Sequence, residues 1–387
     1  MTNIIDGNQI KLLRSGTEYF PALEAAIKNS KQEIYLQTYI FEVDKAGVNI
    51  GNALKQAAQR GVTVNVLLDG FGCKDMPKAY LQELKQAGVQ VMFYRPKISP
   101  WTLKKNRLRR LHRKVVVVDG TVAFVGGINI IDDDNVPDNR PPRIDYAVRV
   151  EGALLPSILS SVYKLWHWMS WLALQRIKIS TTKAKPAMLK HTVKNDIDAE
   201  FLLRDNILHR RDIEEAYLSA INHAQSEIII ANAYFLPSRK FRQTLLAAAK
   251  RGVKVQLLLQ GRMEYFLMSA THAFYSKFLR NGIEIFEYRK SFMHCKVAVI
   301  DGFWATVGSS NIDPFSMLLA CEANIIVQNA AFSSELRAEI ISSIRADAYQ
   351  VSAQDWVHGN LIKRAISWVV YELVRVSLGV IGYSDEQ

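Results

Sequence analysis

Cysteine is scarce in these 387 residues, limited to Cys73, Cys295 and Cys321. An odd count at irregular spacing excludes a disulfide framework and a cysteine-ligated zinc site, and points to a reducing compartment. Cys295 lies in a β-branched run and reads as a small buried residue rather than a reactive thiol. The N-terminus, MTNIIDGNQIKLLRSG, lacks a basic stretch followed by an apolar run, so no secretory leader is expected. Neither a glycine-rich phosphate loop nor a cluster of metal ligands is present, so no metal and no cofactor are expected. Negative charge is also in short supply, with 37 Asp and Glu against 49 Lys and Arg. The formal net charge of +12 favours an anionic partner: nucleic acid, an acidic membrane surface or a phosphorylated substrate. With 49% hydrophobic and 22% charged residues the chain is globular, and it is long enough for one large core or two domains.

What the chain does have is itself twice. YFPALEAAIKNSKQEIYLQTYIF (19–41) resembles IEEAYLSAINHAQSEIIIANAYF (213–235), and ALKQAAQRGVTVNVLLDG (53–70) resembles TLLAAAKRGVKVQLLLQG (244–261). LQELKQAGVQVMFYRP (81–96) answers YSKFLRNGIEIFEYRK (275–290), and AFVGGIN (123–129) answers ATVGSSN (305–311). Each copy alternates amphipathic helices with apolar strands, and Gly61, Gly88, Gly252 and Gly282 close the helices. The pattern predicts an α/β fold of two duplicated lobes, mixed β-sheets flanked by helices, related by a pseudo-twofold axis. The expected divisions are an N-terminal lobe (1–178), a basic linker (179–196), a C-terminal lobe (197–350) and an amphipathic C-terminal helix (351–387).

Within the duplication one trio recurs, in RLHRKVVVVDG (110–120) and FMHCKVAVIDG (292–302). VVVV and VAVI predict buried strands. On a strand, positions two apart share a face, so His112 lies with Lys114 and His294 with Lys296. Asp119 and Asp301 fall on the opposite face, each before a glycine, which assigns them to the turn rather than to a substrate. A pseudo-twofold axis brings both histidines and both lysines to one interface, a donor-rich pocket suited to a phosphate group. One imidazole attacks phosphorus and the other protonates the leaving oxygen; the symmetry of the motif leaves open which does which.

The pattern H-x-K-x4-D followed by G-[GS]-x-N, twice in one chain, resembles the phospholipase D superfamily across residues 5–350. The order LLDG, GGIN, ANAYF, FEYR, HCK and ATVGSSNIDPFS is most similar to the bacterial cardiolipin synthases of the shorter type without N-terminal membrane helices. The resemblance implies a shared active site whose catalytic motif residues are His112, Lys114, Asp119, His294, Lys296 and Asp301. It also implies a phosphatidyl-histidine intermediate, with His112 as nucleophile and His294 as acid, then base. Asn129, Asn311 and Ser309 are expected to help hold the phosphate, and Gly127, standing where the second half has Ser309, to make the pocket asymmetric. An acidic residue orients each histidine; by position in the duplication, Asp145 is expected behind His112 and Glu322 behind His294. Asp313 follows the family pattern without an assigned role.

The substrate is read from the rest of the chain. GALLPSILSSVYKLWHWMSWLALQ (152–175) is nearly free of charge and holds Trp166, Trp168 and Trp171. A membrane span there would put the two histidines on opposite sides of a bilayer, so it is read as a core or interfacial helix. In NLIKRAISWVVYELVRVSLGVIGY (360–383), Asn360, Arg364, Ser367, Tyr371 and Arg375 make a narrow polar stripe on an apolar helix, the pattern of an interfacial anchor. The basic stretch RPKISPWTLKKNRLRRLHRK (95–114) suits anionic headgroups, although a nuclease would use it for DNA. Tyr234 and Phe235 are candidates to line a headgroup or acyl path. The expectation is a peripheral enzyme on the cytoplasmic side of the inner membrane, joining two phosphatidylglycerol molecules and releasing glycerol. Anionic phospholipids are its expected partners, not nucleic acid. A phospholipase D hydrolase, transfer to other alcohols, and a nuclease are the alternatives.

Overall fold

The computed structural model describes residues 4–95, 109–136, 140–172, 196–262, 266–358, 367–373 and 376. Most of the basic stretch 95–114, nearly all of the linker 179–196, residues 173–175 and much of the segment beyond 358 lie outside the described residues.

The first half runs β1 (Ile5–Arg14), α1 (Ser15–Asn29), β2 (Glu33–Thr38), α2 (Lys45–Gln59), β3 (Thr63–Asp69), α3 (Lys78–Gln86), β4 (Gln90–Tyr94), β5 (Lys114–Val118), β6 (Val122–Gly126), β7 (Tyr146–Gly152) and α4 (Leu155–Leu172). The second half repeats that order: β8 (Ile197–Arg204), α5 (Asp212–His223), β9 (Glu227–Asn232), α6 (Arg239–Lys250), β10 (Lys254–Gln260), α7 (Phe266–Arg280), β11 (Glu284–Tyr288), β12 (Lys296–Ile300) and β13 (Trp304–Gly308). After a short α8 (Pro314–Leu318), β14 (Glu322–Gln328) and α9 (Ala330–Asp347) answer β7 and α4, and β15 (Ala348–Gln350) and α10 (Ala353–His358) are extra.

The strands form one mixed sheet of 15, in the order β15-β11-β10-β9-β12-β13-β14-β8-β1-β7-β6-β5-β2-β3-β4. The order reads symmetrically outward from the β8–β1 junction, with β15 as the one unmatched strand. The mixed sheets expected from sequence for the two lobes are here continuous with each other. They fuse because β1 and β8 are the first strands of their lobes, and their unpaired edges satisfy each other, Ile5 opposite Ala199 and Asn8 opposite Ile197. β2, β3 and β4 are parallel, as are β9, β10 and β11; the other pairings are antiparallel.

The β-branched runs are continuous because both sheet faces are covered. Val115 and Val117 enter a core shared by both halves beneath α4 and α9, while Val116 and Val118 pack under α1 and α2. Val297 and Val299 join the same shared core, and Ala298 and Ile300 the outer core of the second lobe. The shared core welds the lobes and sets both His–Lys motifs at one seam.

Asp119 and Asp301 stand at the far ends of β5 and β12, about 17 Å of strand from the lysines. Each has φ of 51° and precedes a glycine of positive φ, a hairpin turn in which Asp is tolerated and Gly unstrained. Asp119 accepts the N–H groups of Lys31, Gln32 and Glu33; Asp301 accepts those of Gln225, Ser226 and Glu227. They pin the start of β2 and β9 and touch no reacting group, which corrects their inclusion in the catalytic set. Despite partial burial, those N–H groups hold the Asp301 carboxyl below its usual range. Asp301→Ala is expected to lower the unfolding free energy by about 1–2 kcal/mol, since the carboxylate is partly solvated. A denaturant midpoint reads this, and the activity of the folded fraction should persist.

Candidate active site

The seam is built by a reciprocal clasp. The N–H groups of His112 and Arg113 donate to the Cys321 carbonyl (2.9 and 2.7 Å), and the Cys321 N–H to the Arg110 carbonyl (2.7 Å). Across the pseudo-twofold, the Ile144 N–H donates to the Phe292 carbonyl and the His294 N–H to that of Ile144 (both 2.9 Å). Cys321 and Ile144 immediately precede Glu322 and Asp145, so each clasp delivers a carboxylate to the histidine of the opposite lobe. His112 Nδ1 lies 2.9 Å from Glu322 Oε1, and His294 Nδ1 lies 2.7 Å from Asp145 Oδ2. The pairing is therefore crossed, opposite to the expectation, because the duplication shows which residues correspond but not which lobe they reach into. Each carboxylate accepts, so Nδ1 carries the proton and Nε2 keeps its lone pair.

Around the imidazoles almost everything is sealed. Their side chains are 15% and 23% exposed, whereas Glu322 and Asp145 are 0% and 4% exposed. Lys114, Lys296, Asn129 and Asn311 are buried as well. The Lys114 Nζ donates to the His112 carbonyl at 2.7 Å, and Lys296 donates likewise to the His294 carbonyl. Each ammonium retains two further N–H groups for a ligand. Asn129 Oδ1 accepts the Ile40 N–H at 3.1 Å, leaving its NH2 free to donate to an anion, and the Asn311 Oδ1 is buried without a partner.

Ser309 is not a phosphate contact. Its hydroxyl is fully buried, donates to Glu322 Oε2 at 2.5 Å and accepts the Ala323 N–H at 3.0 Å, so it backs the carboxylate. The expected asymmetry is present: a Cβ on Gly127 would stand 2.4 Å from Asp145 Oδ1, so Asp145 folds into that space. Asp313 caps α8 through the N–H groups of Phe315 and Ser316 (2.7 and 3.1 Å), and burial pushes its carboxyl up to about 6. Phe235 belongs to the outer core. Cys295 is buried on its strand as expected, with its thiol pushed well up by burial.

Two residues escaped the sequence reading. Asp69 ends β3 fully buried; Oδ1 accepts the N–H groups of Phe71 and Gly72, and Oδ2 that of Leu111 at 2.8 Å, fixing the approach to His112. Its one signal was the Asp of LLDG, where the second half has Gln260. The Tyr39 ring lies 4.9 Å from the His112 ring and 5.6 Å from Lys114 Nζ; its counterpart in the repeat is Ala233.

Burial, reinforced by the lysines, holds the His112 imidazole below its ordinary value even though Glu322 pulls it up. Burial and both lysines hold His294 well below. Burial lowers the Lys114 ammonium to about 7 and raises Asp145 to about 6. Glu322 stays below the usual range despite burial, because His112, Lys114 and the Ser309 hydroxyl favour its anion. Two ammoniums against two carboxylates balance, so a phosphodiester monoanion matches one protonated histidine.

The comparisons agree with this geometry. Residues 23–139 and 217–344 match the family described as cardiolipin synthase, PLD-like domain. The chain is 38% identical to cardiolipin synthase B of Escherichia coli K12 over 347 residues, 89% of this chain and 83% of that protein. It is 30% identical to a probable cardiolipin synthase of Bacillus subtilis over 85% of this chain and 64% of that protein. Among solved structures, phosphatidylserine synthase of Haemophilus influenzae has the same fold, with a TM-score of 0.69 at 14% identity over 97% of this chain and 95% of that one. On the doubled motif, the crossed histidine–carboxylate pairs and these matches together, the chain belongs to the cardiolipin synthase family of phospholipase D-like proteins.

Proposed function

We propose that the protein is a cardiolipin synthase that transfers a phosphatidyl group between two phosphatidylglycerol molecules. The observation that carries the reading is the pair of partly open imidazoles, each backed by a buried carboxylate from the other lobe, above two buried lysines. The donor phosphate enters between Lys114, Lys296 and the asparagine amides. His112 Nε2 forms a bond to phosphorus as the phosphorus–oxygen bond to glycerol breaks, and protonated His294 gives its proton to the departing oxygen. Neutral His294 then takes the proton of a hydroxyl on the second phosphatidylglycerol, whose oxygen attacks phosphorus and releases His112. His112 suits the nucleophile's part because Glu322, kept ionised by His112 itself, by Lys114 and by the Ser309 hydroxyl, enriches its imidazole. One phosphodiester replaces another, so no energy-rich cosubstrate is needed.

Action at a membrane surface is supported by the C-terminal segment. Within residues 367–373, Ser367 and Val370 are buried and Tyr371 packs on Phe274, while Trp368, Val369 and Leu373 face outward, about half exposed or more. Among these described residues, Ser367 and Tyr371 of the polar stripe turn inward together with Val370, and three large apolar side chains face out, where a helix in water would carry polar ones. α4 is mixed: Trp166 is in the core, and Trp168 and Trp171 are exposed. No described helix is long and apolar enough to cross a membrane. Peripheral attachment to the cytoplasmic side of the inner membrane, through anionic phospholipid, fits these features. Deleting 357–387 is expected to weaken binding to phosphatidylglycerol vesicles; unchanged partitioning contradicts the anchor.

The pH dependence follows from the buried charges. kcat/KM, which reports the free enzyme, is expected to fall on the acid side below pH 6.5 as His112 takes up a proton. On the alkaline side it should fall first as His294, held well below its ordinary value in the free enzyme, loses the proton it must donate, and further from about 7 as Lys114 loses its charge. The alkaline limb of kcat should lie higher, because bound phosphate favours the cationic lysines. The direct test incubates the purified protein with phosphatidylglycerol vesicles and resolves the products by mass. Cardiolipin with glycerol is expected; phosphatidic acid alone means hydrolysis, and no lipid product turns attention to nucleic acid.

A further inference from the structure

Between β8 and α5 the chain makes a turn that neither the core nor the histidine site uses. Asp205 Oδ1 accepts the N–H groups of Ile207 (2.7 Å), Leu208 (2.8 Å) and His209 (3.1 Å), and the Asp205 N–H donates to the His209 carbonyl (3.0 Å). His209 is in turn held by Asp212 at 2.7 Å. At the tip Ile207 is 71% and Leu208 81% exposed. One exposed leucine is ordinary; two adjacent aliphatic side chains held out by a turn with its own hydrogen bonds are a built display.

The display stands beside the cleft. Arg204, at the end of β8, donates to the carbonyls of Met317 (3.0 Å) and Ala320 (2.5 Å), and Asn206 to that of Leu319 (3.1 Å). Those residues lead into Cys321, whose carbonyl holds the His112 backbone. On the other side of the same clasp, exposed Phe71 is tied to Asp69, with the Arg110 guanidinium 5.2 Å and the Lys74 ammonium 5.4 Å from its ring centre. Arg210 and Arg211 follow the aliphatic tip and are exposed. Of the neighbouring acids, Asp205 and Asp212 are engaged within the turn, Glu214 accepts the Ser238 hydroxyl at 2.7 Å, Glu215 is exposed on the first turn of α5, and Asp75 lies 3.9 Å from Lys74. The rim continues toward the C-terminal helix, since Tyr371 shares a cleft with Asp313, Pro314 and Met317.

We infer that the 205–209 turn and Phe71 form a membrane-inserting rim on the His112 side of the active-site mouth. Apolar tips ringed by arginine and lysine match an anionic bilayer: Ile207, Leu208 and Phe71 enter the headgroup–acyl boundary, and the cations meet lipid phosphates. The cleft is thereby set over the surface, and a phosphatidyl headgroup reaches His112 without its lipid leaving the bilayer. The inference rests on the phosphatidyl-transfer reading and names how that same site meets its substrate.

The test compares the full chain with the Ile207→Ser/Leu208→Ser and Phe71→Ser variants. Flotation measures binding to phosphatidylglycerol and to phosphatidylcholine vesicles; turnover is measured on phosphatidylglycerol vesicles and on a short-chain phosphatidylglycerol below its micelle concentration. The expected result is a loss of about ten-fold in binding and turnover on anionic vesicles, with turnover of the monomeric lipid retained. Unchanged vesicle binding overturns the rim. So does an equal loss on vesicles and monomeric lipid, which makes these residues part of the site's architecture. If the unaltered protein turns over neither lipid, the transfer reading fails, while flotation still decides whether the rim binds membranes.

Discussion

His112→Ala and His294→Ala each reduce phosphatidylglycerol turnover by about a thousand-fold or more while the protein stays folded. Equal severity is the informative part. Were each lobe a self-sufficient catalyst, one substitution would leave about half the activity; in a shared site both histidines are needed for each transfer. Neither ring is central to packing, being the partly exposed members of an otherwise sealed cluster, so circular dichroism and the thermal midpoint should change little. Alanine also removes a ring from a pocket whose lysines donate to backbone carbonyls rather than to the imidazoles, so the ammonium positions survive. Full activity in either variant ends the shared-site account.

The second large effect comes from the crossed carboxylates. Glu322→Gln should cost about 10³–10⁴ in turnover, because a neutral amide no longer holds the imidazole in the tautomer with Nε2 free. Glu322 is a positioning residue, so the decisive readout is spectroscopic. The low-field Nδ1 proton of His112 should shift or vanish in Glu322→Gln and persist in Asp145→Asn, and the converse should hold for His294. Glu322→Asp, which keeps the charge, should recover part of the rate. If Asp145→Asn instead perturbs His112, the clasp does not carry the carboxylates across the seam.

These pairs also mark where the sequence stops being legible. The duplication exposed both His–Lys motifs, and the parity of a strand put Asp119 and Asp301 away from the substrate, as their hairpin hydrogen bonds bear out. Gly61 and Gly252, both of positive φ, close α2 and α6 as read. The crossing was hidden because repeat alignment relates equivalent positions and carries no information about which lobe a strand end faces. β1 and β8 were passed over because they precede the matched segments, although the alternating burial of Asn8, Ile10 and Leu12 reflects a half-buried strand period. The resemblance sets Ser309 beside the phosphate with Asn311; its burial behind Glu322 is a tertiary fact. Asp69 and Tyr39 lie 43 and 73 positions before His112 and reach it through packing rather than periodicity.

The most direct test of the central claim is to quench the His294→Ala variant after prolonged exposure to phosphatidylglycerol carrying a labelled phosphate, then map the label by peptide mass under alkaline conditions. Loss of His294 slows both steps, but the intermediate that does form lacks the base that releases it, so label should accumulate on the peptide containing His112. Label elsewhere, or none while glycerol is still released, would contradict a transfer carried by one histidine and served by the other.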